Sequence, residues 1–574
     1  MDIKNIIVKE YLESLTEKDE LNHIFPILLE SMGFSILSKP TEYLGLQEYG
    51  KDIVAVGLDD DNIKKRFYFE LKGGSDRHIT ESNFYSSDGI HNSIIQASYN
   101  KYTSAFPKFE KLPLKIVIVH NGIIKGNVQG TLEEFFITMQ SKLDNVAFDR
   151  WDISRLTILF SEKLFCAHLL TDPQTTRLFN RVLVNLNVTD GISGDYVELL
   201  NVILAKEKWE KKKQISRKWK LLFESLKLIG FIIYTEAKEY DNLEIAKRYL
   251  AHLVIKFWHW ILKNNQEENK LIIKYFDQVL LLYLKVLGEF TRKTLPIATL
   301  KDGLYSENGG RYEEIGYTKR TLEYLNYLCF LINVERSVGN GKNDAHMAQE
   351  LVNVINANSV SSRSLLDIHS IPIVSVLSLF ISFNKIESAR NYLMNVVDNL
   401  IKSKEQRNFL PDANNSIENV IRYTVTDMKP VYYEDRTSLL IGVLFEFIHY
   451  LDMDKQYLLL RDFVIKYKIE IGVFVPFHGT NSSSKHLIAD KENDLEEQLF
   501  SRSFRDGYQS QLSLTKNFDK TLNFEDFKLK IKKKEKEFEY TYRTDKAGYS
   551  FLRDLAHIYF QTPFFPDKWR INNL

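Results

Sequence analysis

The feature that most constrains this chain is a change of periodicity near residue 185. Before it, short β-branched and aromatic runs alternate with amphipathic helical stretches. After it, strand signals nearly vanish and long helical patterns dominate. At 574 residues the chain is too long for one core. We therefore expect an α/β domain over residues 1–185, a mixed sheet flanked by helices, followed by a large all-α region of helical-repeat character over 186–574.

Within the first part, ELNHIFPILLESMGF (20–34) repeats its apolar residues at helical spacing and closes on Gly33. KDIVAVGL (51–58) and RFYFELKG (66–73) read as two strands joined by a polar turn, hence a hairpin. HNSIIQASYNKYTSAF (91–106) reads as a helix and LKIVIVHNG (114–122) as a buried strand. TLEEFFITMQSKL (131–143) reads as a helix with Thr131 as its N-cap, and a short strand after 145 leads into a helix capped near Asp152. In the second part, IAKRYLAHLV (245–254), MAQELVNVI (347–355), SARNYLMNVV (388–397) and DKQYLLLRDFV (454–464) share a loose helical-hairpin pattern. Expected loops are 296–314, 337–344, 404–417 and 475–495, and the aromatic tail 560–574 is expected to dock.

Composition narrows the function. The 76 basic and 76 acidic residues cancel, so no global positive field recruits nucleic acid. Residues 1–185 hold 21 Lys and Arg against 25 Asp and Glu, a net of −4. Any such contact must use local groups. Two cysteines, Cys166 and Cys329, provide neither a zinc cluster nor a disulfide framework, so a reducing, cytoplasmic setting is expected. The charged N-terminus does not read as a signal peptide, and the apolar runs are too broken to cross a bilayer.

The chemistry concentrates in GKDIVAVGLDDDNIKKRFYFELKGG (50–74). Asp52 opens the first hairpin strand. Glu70 and Lys72 lie two apart on the second and share a face. Two carboxylates are hard ligands for Mg²⁺ or Mn²⁺, and the Leu71 carbonyl offers another oxygen. A neighbouring Lys72 suits water orientation or charge stabilisation on a phosphorane. On many surface strands such a charge row is merely solvated. Here it interrupts an apolar run.

The helix ending LLESMGF, the YGKD preceding the hairpin, FELK on its second strand and IIQASY on a later helix together resemble Mrr-type restriction endonucleases. More broadly, they resemble the PD-(D/E)XK nuclease superfamily of restriction and phage-defence proteins. KIVIVHNG and FDRWDISRLTILF resemble the end of such domains. The resemblance covers residues 15–170. It implies a four-stranded mixed sheet with metal at its edge, Asp52 and Glu70 as ligands, Lys72 as the motif lysine and Gln96 as a helix residue near the site. One departure stands out. Where many members carry a first-helix Glu as a further ligand, this sequence has Asn22 and His23, and Glu20 and Glu30 are out of register.

Further candidates for nucleic-acid contact are Lys64, Lys65, Arg66, Arg77 and His78, although a soluble turn and loop explain them equally. Lys211, Lys212, Lys213 and Trp219 lie in a basic segment whose tryptophans are expected to pack inward. KLKIKKKEKEFEY (528–540) reads as a charged helix face, VGNGKND (338–344) lacks phosphate-loop spacing, and His120 reads as a strand-end residue. The expectation is a Mg²⁺- or Mn²⁺-dependent endonuclease on DNA, or on RNA, serving anti-phage defence under control of the helical region. That region would meet a protein partner or phage trigger, and a homo-oligomer would supply two active sites. Two rivals remain. One is a modification-dependent restriction enzyme whose helical region reads DNA. The other is a degenerate fold acting as an interaction module.

Overall fold

The buried Val, Ile and aromatic runs of the first part assemble into one five-stranded sheet of order β1-β2-β3-β4-β5 in the computed structural model. The structure describes residues 3–39, 51–86, 89–164, 173–188, 191–205, 209, 217–339, 343–474, 495–502, 522–534 and 540–570. It divides into two compact units, Met1–Ala246 and Lys247–Leu574.

In the first unit, α1 (Ile3–Ser14) and α2 (Asn22–Ser31) precede β1 (Ser35–Ser38), β2 (Ile53–Leu58) and β3 (Lys64–Lys72). Then come α3 (Glu81–Tyr85), α4 (Ile90–Tyr99), β4 (Leu114–His120), α5 (Gly126–Lys142), β5 (Val146–Trp151) and α6 (Ile153–Leu159). β1, β2 and β3 pair antiparallel, and β3, β4 and β5 pair parallel. The sheet is therefore mixed, with one edge strand more than the four expected. Every residue of β4 is buried, as a parallel strand covered on both faces requires. On one face Val54, Tyr68, Ile116 and Ile118 pack with Ala97, Ile94 and Ile90 of α4 and with Val128 and Leu132 of α5. On the other, Phe25 of α2 meets Phe69 and Trp151 at ring-centroid distances of 5.3 and 6.0 Å.

Local chemistry sets most boundaries. Gly33 takes φ +88° just after α2. Asp152 caps α6 by accepting from the N–H groups of Ser154 and Arg155, each at 3.0 Å. Two expectations shift. The 91–106 helix stops at Tyr99. The 131–143 helix begins five residues earlier, at Gly126, which places Thr131 inside it. The first unit also runs past residue 185. It takes in α7 (Pro173–Val184), α8 (Gly194–Ala205) and α9 (Arg217–Glu239). Tyr11 of α1 donates to Glu224 of α9 at 3.2 Å, and Lys227 of α9 meets Glu20 at 2.9 Å. These contacts tie α9 to the sheet domain.

The second unit is helical, apart from a two-residue parallel pairing of Thr437–Ser438 with Glu470–Ile471. Its long helices are α10 (Leu243–Lys263), which begins just before the boundary, α11 (Lys270–Ala298), α12 (Glu313–Gly339), α13 (Asp344–Ala357), α14 (Ser370–Ser382), α15 (Ile386–Arg407), α16 (Ile417–Thr426), α17 (Leu439–Tyr450) and α18 (Asp454–Tyr467). α14 and α15 form one hairpin and α17 and α18 another, and the two hairpins pack together. The expected loop 296–314 is partly helix, since α11 reaches Ala298, and α15 extends into the expected loop 404–417. The segment 475–494 and Cys166 lie outside the described residues. Phe564, Phe565 and Trp569 of the aromatic tail are buried, as expected of a docked tail. Among the described residues no helix is long and apolar enough to cross a membrane.

Candidate active site

The β2–β3 register fixes the geometry. Ile53 pairs with Phe69, so one step further on Asp52 stands opposite Glu70. In the parallel β3–β4 ladder Glu70 is level with Ile118 and Lys72 with His120. Asp52, Glu70 and Lys72 therefore share the α4 face of the sheet, at the carboxyl end of β3. Glu70 is 5% exposed within an otherwise apolar run.

Specific bonds hold the three residues. Asp52 Oδ2 accepts from the Leu71 N–H at 2.6 Å. Lys72 Nζ meets Glu70 Oε1 at 2.9 Å. Burial would push the Lys72 ammonium down, but Glu70, Glu17 and Asp52 together raise it above the ordinary lysine range. Lys72 is thus paired with Glu70 and feels the charges of Glu17 and Asp52 as well.

Of these carboxylates, Glu17 was not legible in the sequence. It opens a π-helical turn, Glu17–Leu21, between α1 and α2. That turn comes over the end of β3, where Glu17 Oε2 accepts from the Gly73 N–H at 3.1 Å. Burial raises its carboxyl, while the charge of Lys72 and the Gly73 bond oppose the shift. Gly73 eases this approach, since a Cβ there would lie 3.1 Å from the Glu17 Cα and backbone nitrogen, tighter than most such contacts. The two glutamates considered from the sequence are occupied elsewhere. Glu20 accepts from Thr16 and pairs with Lys227, and Glu30 pairs with Lys39 at 3.3 Å.

Gln96 does not join the group. The buried stripe of α4 is Ile90, Ile94 and Ala97, and Gln96 lies exposed outside it. Lys51, which the sequence reading passed over, is buried beside the site. Its ammonium sits 5.4 Å from the Tyr68 ring centroid. Burial brings it down to about 8, against the opposing charge of Glu70.

Of the proposed nucleic-acid contacts, Lys64, Lys65 and Arg66 belong to the far end of β3. Lys65 bridges Asp59 and Asp61 at 2.6 and 2.5 Å. Lys64 and Arg66 lie over the rings of Phe106 and Phe109. Arg77 and His78 do lie at the site's end of the sheet. Arg77 donates to the Glu13 carbonyl at 2.7 Å, and His78 Nδ1 accepts from the Ile123 N–H at 3.2 Å. His120 Nδ1 donates to the Arg77 carbonyl at 3.1 Å, and burial takes this imidazole down to about 4, a strand-end residue held neutral. Trp219 is buried against Trp209, as expected, while Lys211, Lys212 and Lys213 lie outside the described residues.

The three hard-oxygen carboxylates fit a Mg²⁺ or Mn²⁺ ion by donor chemistry. Among the described residues no three His, Cys, Asp or Glu side chains are grouped closely enough to hold a metal ion as they stand. No protein-family model, curated protein or solved structure matches this chain.

Proposed function

We propose that the first unit is a Mg²⁺- or Mn²⁺-dependent endonuclease that hydrolyses phosphodiester bonds, with double-stranded DNA as the foremost substrate. The observation that carries this reading is the register that sets Asp52 opposite Glu70 at the carboxyl end of β3, with Lys72 paired to Glu70 and Glu17 bound to the adjacent Gly73. It fits the PD-(D/E)XK resemblance and supplies the first-helix carboxylate that the sequence reading lacked. Asp52, Glu70 and Glu17, with the Leu71 carbonyl, would hold the ion. When bound, such an ion polarises a phosphate and lowers the pKa of water. Lys72 then orients the attacking water or offsets charge on the phosphorane, and Glu17 keeps the β3 end fixed through Gly73. By analogy alone, a nuclease joined to a large helical unit reads as an anti-phage effector whose helical region controls cutting.

The test uses the full chain with plasmid DNA, and separately with RNA, in Mn²⁺ or Mg²⁺. Cutting that needs the metal and disappears in both Glu70→Ala and Lys72→Ala supports the reading. No cutting of either substrate, together with no heat of Mn²⁺ binding, overturns it. A second reading, a degenerate fold used for interaction, is favoured by one observation: Lys72 already pairs with Glu70.

A further inference from the structure

The loops that leave the parallel strands β3 and β4 run side by side. Ile79 bridges Ile124, and the Lys125 N–H donates to the Ile79 carbonyl at 2.9 Å. Beyond that bridge lies an open cavity of about 750 Å³, lined by the hydroxyls of Thr80, Ser82 and Ser86, the Asn127 amide, Lys125 and Tyr85. In open α/β sheets the crevice beyond the carboxyl strand ends is the usual ligand position. Arg77 and His78 lie between Lys72 and this lining in the chain, and the His78 imidazole is lowered by burial first, then by the charges of Arg77 and Lys125.

Tyr85 is 56% exposed but held in place. Its ring stands edge-on to the buried Phe84 at 4.8 Å and tilted against His91 at 5.7 Å. His91 in turn rests on Phe135 at 4.6 Å. An aromatic face fixed from behind and open in front is a preorganised platform for a planar ring, since little side-chain freedom is lost on stacking. A cation and a row of neutral hydroxyl and amide groups beside it match a sugar-phosphate and a base edge.

We propose that this cavity holds one unpaired nucleotide of the substrate, its base on Tyr85 and its phosphate on Lys125. The proposal deepens the nuclease reading and rests on it for the identity of the ligand as substrate. Stacking on Tyr85 needs an open base face, so the subsite takes a base turned out of its stack in a duplex substrate, or a single strand. Glu81, the carboxylate in the lining, accepts from Asn127 at 3.5 Å and opposes an incoming phosphate.

The test is fluorescence anisotropy of the full chain in EDTA, where no cutting interferes, with three probes. They are a short oligothymidylate, a perfect hairpin duplex, and the same duplex with one unpaired thymine. Tyr85→Ala is expected to weaken the first and third about tenfold and spare the second. Lys125→Ala is expected to lower the salt slope for the oligothymidylate by about 0.7. Glu81→Gln is expected to strengthen binding. All three residues are exposed, so folding is unaffected, which circular dichroism checks. Weakening of the oligothymidylate alone restricts the ligand to free single strands. Equal binding by wild type and Tyr85→Ala, equal losses on all three probes, or no binding by wild type overturns the proposal. Tyr85-dependent binding with neither metal-dependent cutting nor a heat of Mn²⁺ binding would overturn the nuclease reading and leave the subsite standing.

Discussion

On the proposed nuclease reading, removing Lys72 should tighten metal binding while abolishing cutting. Lys72 occupies Glu70 at 2.9 Å with both side chains largely buried, 18% and 6% exposed. A divalent ion must compete with that ammonium for the same oxygen. A hydrogen bond between charged groups contributes about 1.5–3 kcal/mol, and each ~1.4 kcal/mol is a factor of ten in affinity. Lys72→Ala should therefore bind Mn²⁺ roughly 10- to 100-fold more tightly than wild type. The same loss leaves Glu70 buried without its partner, so the metal-free variant should melt earlier and regain more on adding Mn²⁺. Isothermal titration calorimetry gives the affinity, and thermal melts with and without Mn²⁺ give the linkage. Lys72→Arg, which keeps the charge, should stay close to wild type. Unchanged or weaker Mn²⁺ binding in Lys72→Ala would show that the ammonium and the ion do not compete, and that the carboxylates do not form a metal site.

Three further outcomes follow from the same geometry. Gly73→Ala places a Cβ 3.1 Å from the Glu17 backbone, so it should cost about 1–3 kcal/mol in urea unfolding and weaken Mn²⁺ binding with no ligand side chain altered. His120 is held at about 4 by burial, below its unfolded value of roughly 6.5. The unfolded chain then binds the extra proton between those limits, so this contribution is complete above about pH 6.5 and is lost as pH falls toward about 4, on the order of 3 kcal/mol. His120→Asn should flatten the acid side of the stability curve, and parallel curves would refute it. Lys65→Ala breaks the bridges to Asp59 and Asp61. It should lower the melting temperature yet leave duplex affinity at the wild-type value by anisotropy.

The sheet was largely readable because its signals are local. Alternation gave β2 and β3, a β-branched run gave β4, and the Asp152 cap gave the start of α6. What failed depended on distant contacts. Thr131 looked like a helix cap, but α5 begins at Gly126, directly after Lys125 has tied its N–H to the Ile79 carbonyl on another loop. The first unit was cut short because helical periodicity does not say which core covers the apolar face. The bonds from Tyr11 to Glu224 and from Glu20 to Lys227 span more than 200 positions.

The site was legible to the extent that it follows strand register. Asp52, Glu70 and Lys72 needed only alternation and a hairpin. Glu17 reaches the group through a π-helical turn and a close approach to Gly73, and the only trace in the sequence was the unexplained glycine pair after Lys72. The basic residues illustrate the same limit. Lys65 and Lys72 are both lysines on β3, yet seven residues of strand place them roughly 23 Å apart. At the turn end, Asp59 and Asp61 neutralise Lys65 in a purely local ion pair. At the carboxyl end, Lys72 pairs with Glu70 while Asp52 and Glu17 from two other segments bind the flanking Leu71 and Gly73 N–H groups, and the loops beyond carry Arg77, His78 and Lys125. Substrate charge should therefore be sensed along that second edge. On the proposed reading, nucleic-acid contacts of the first unit are expected on the loops after β3 and β4, away from the basic hairpin turn that the sequence singled out.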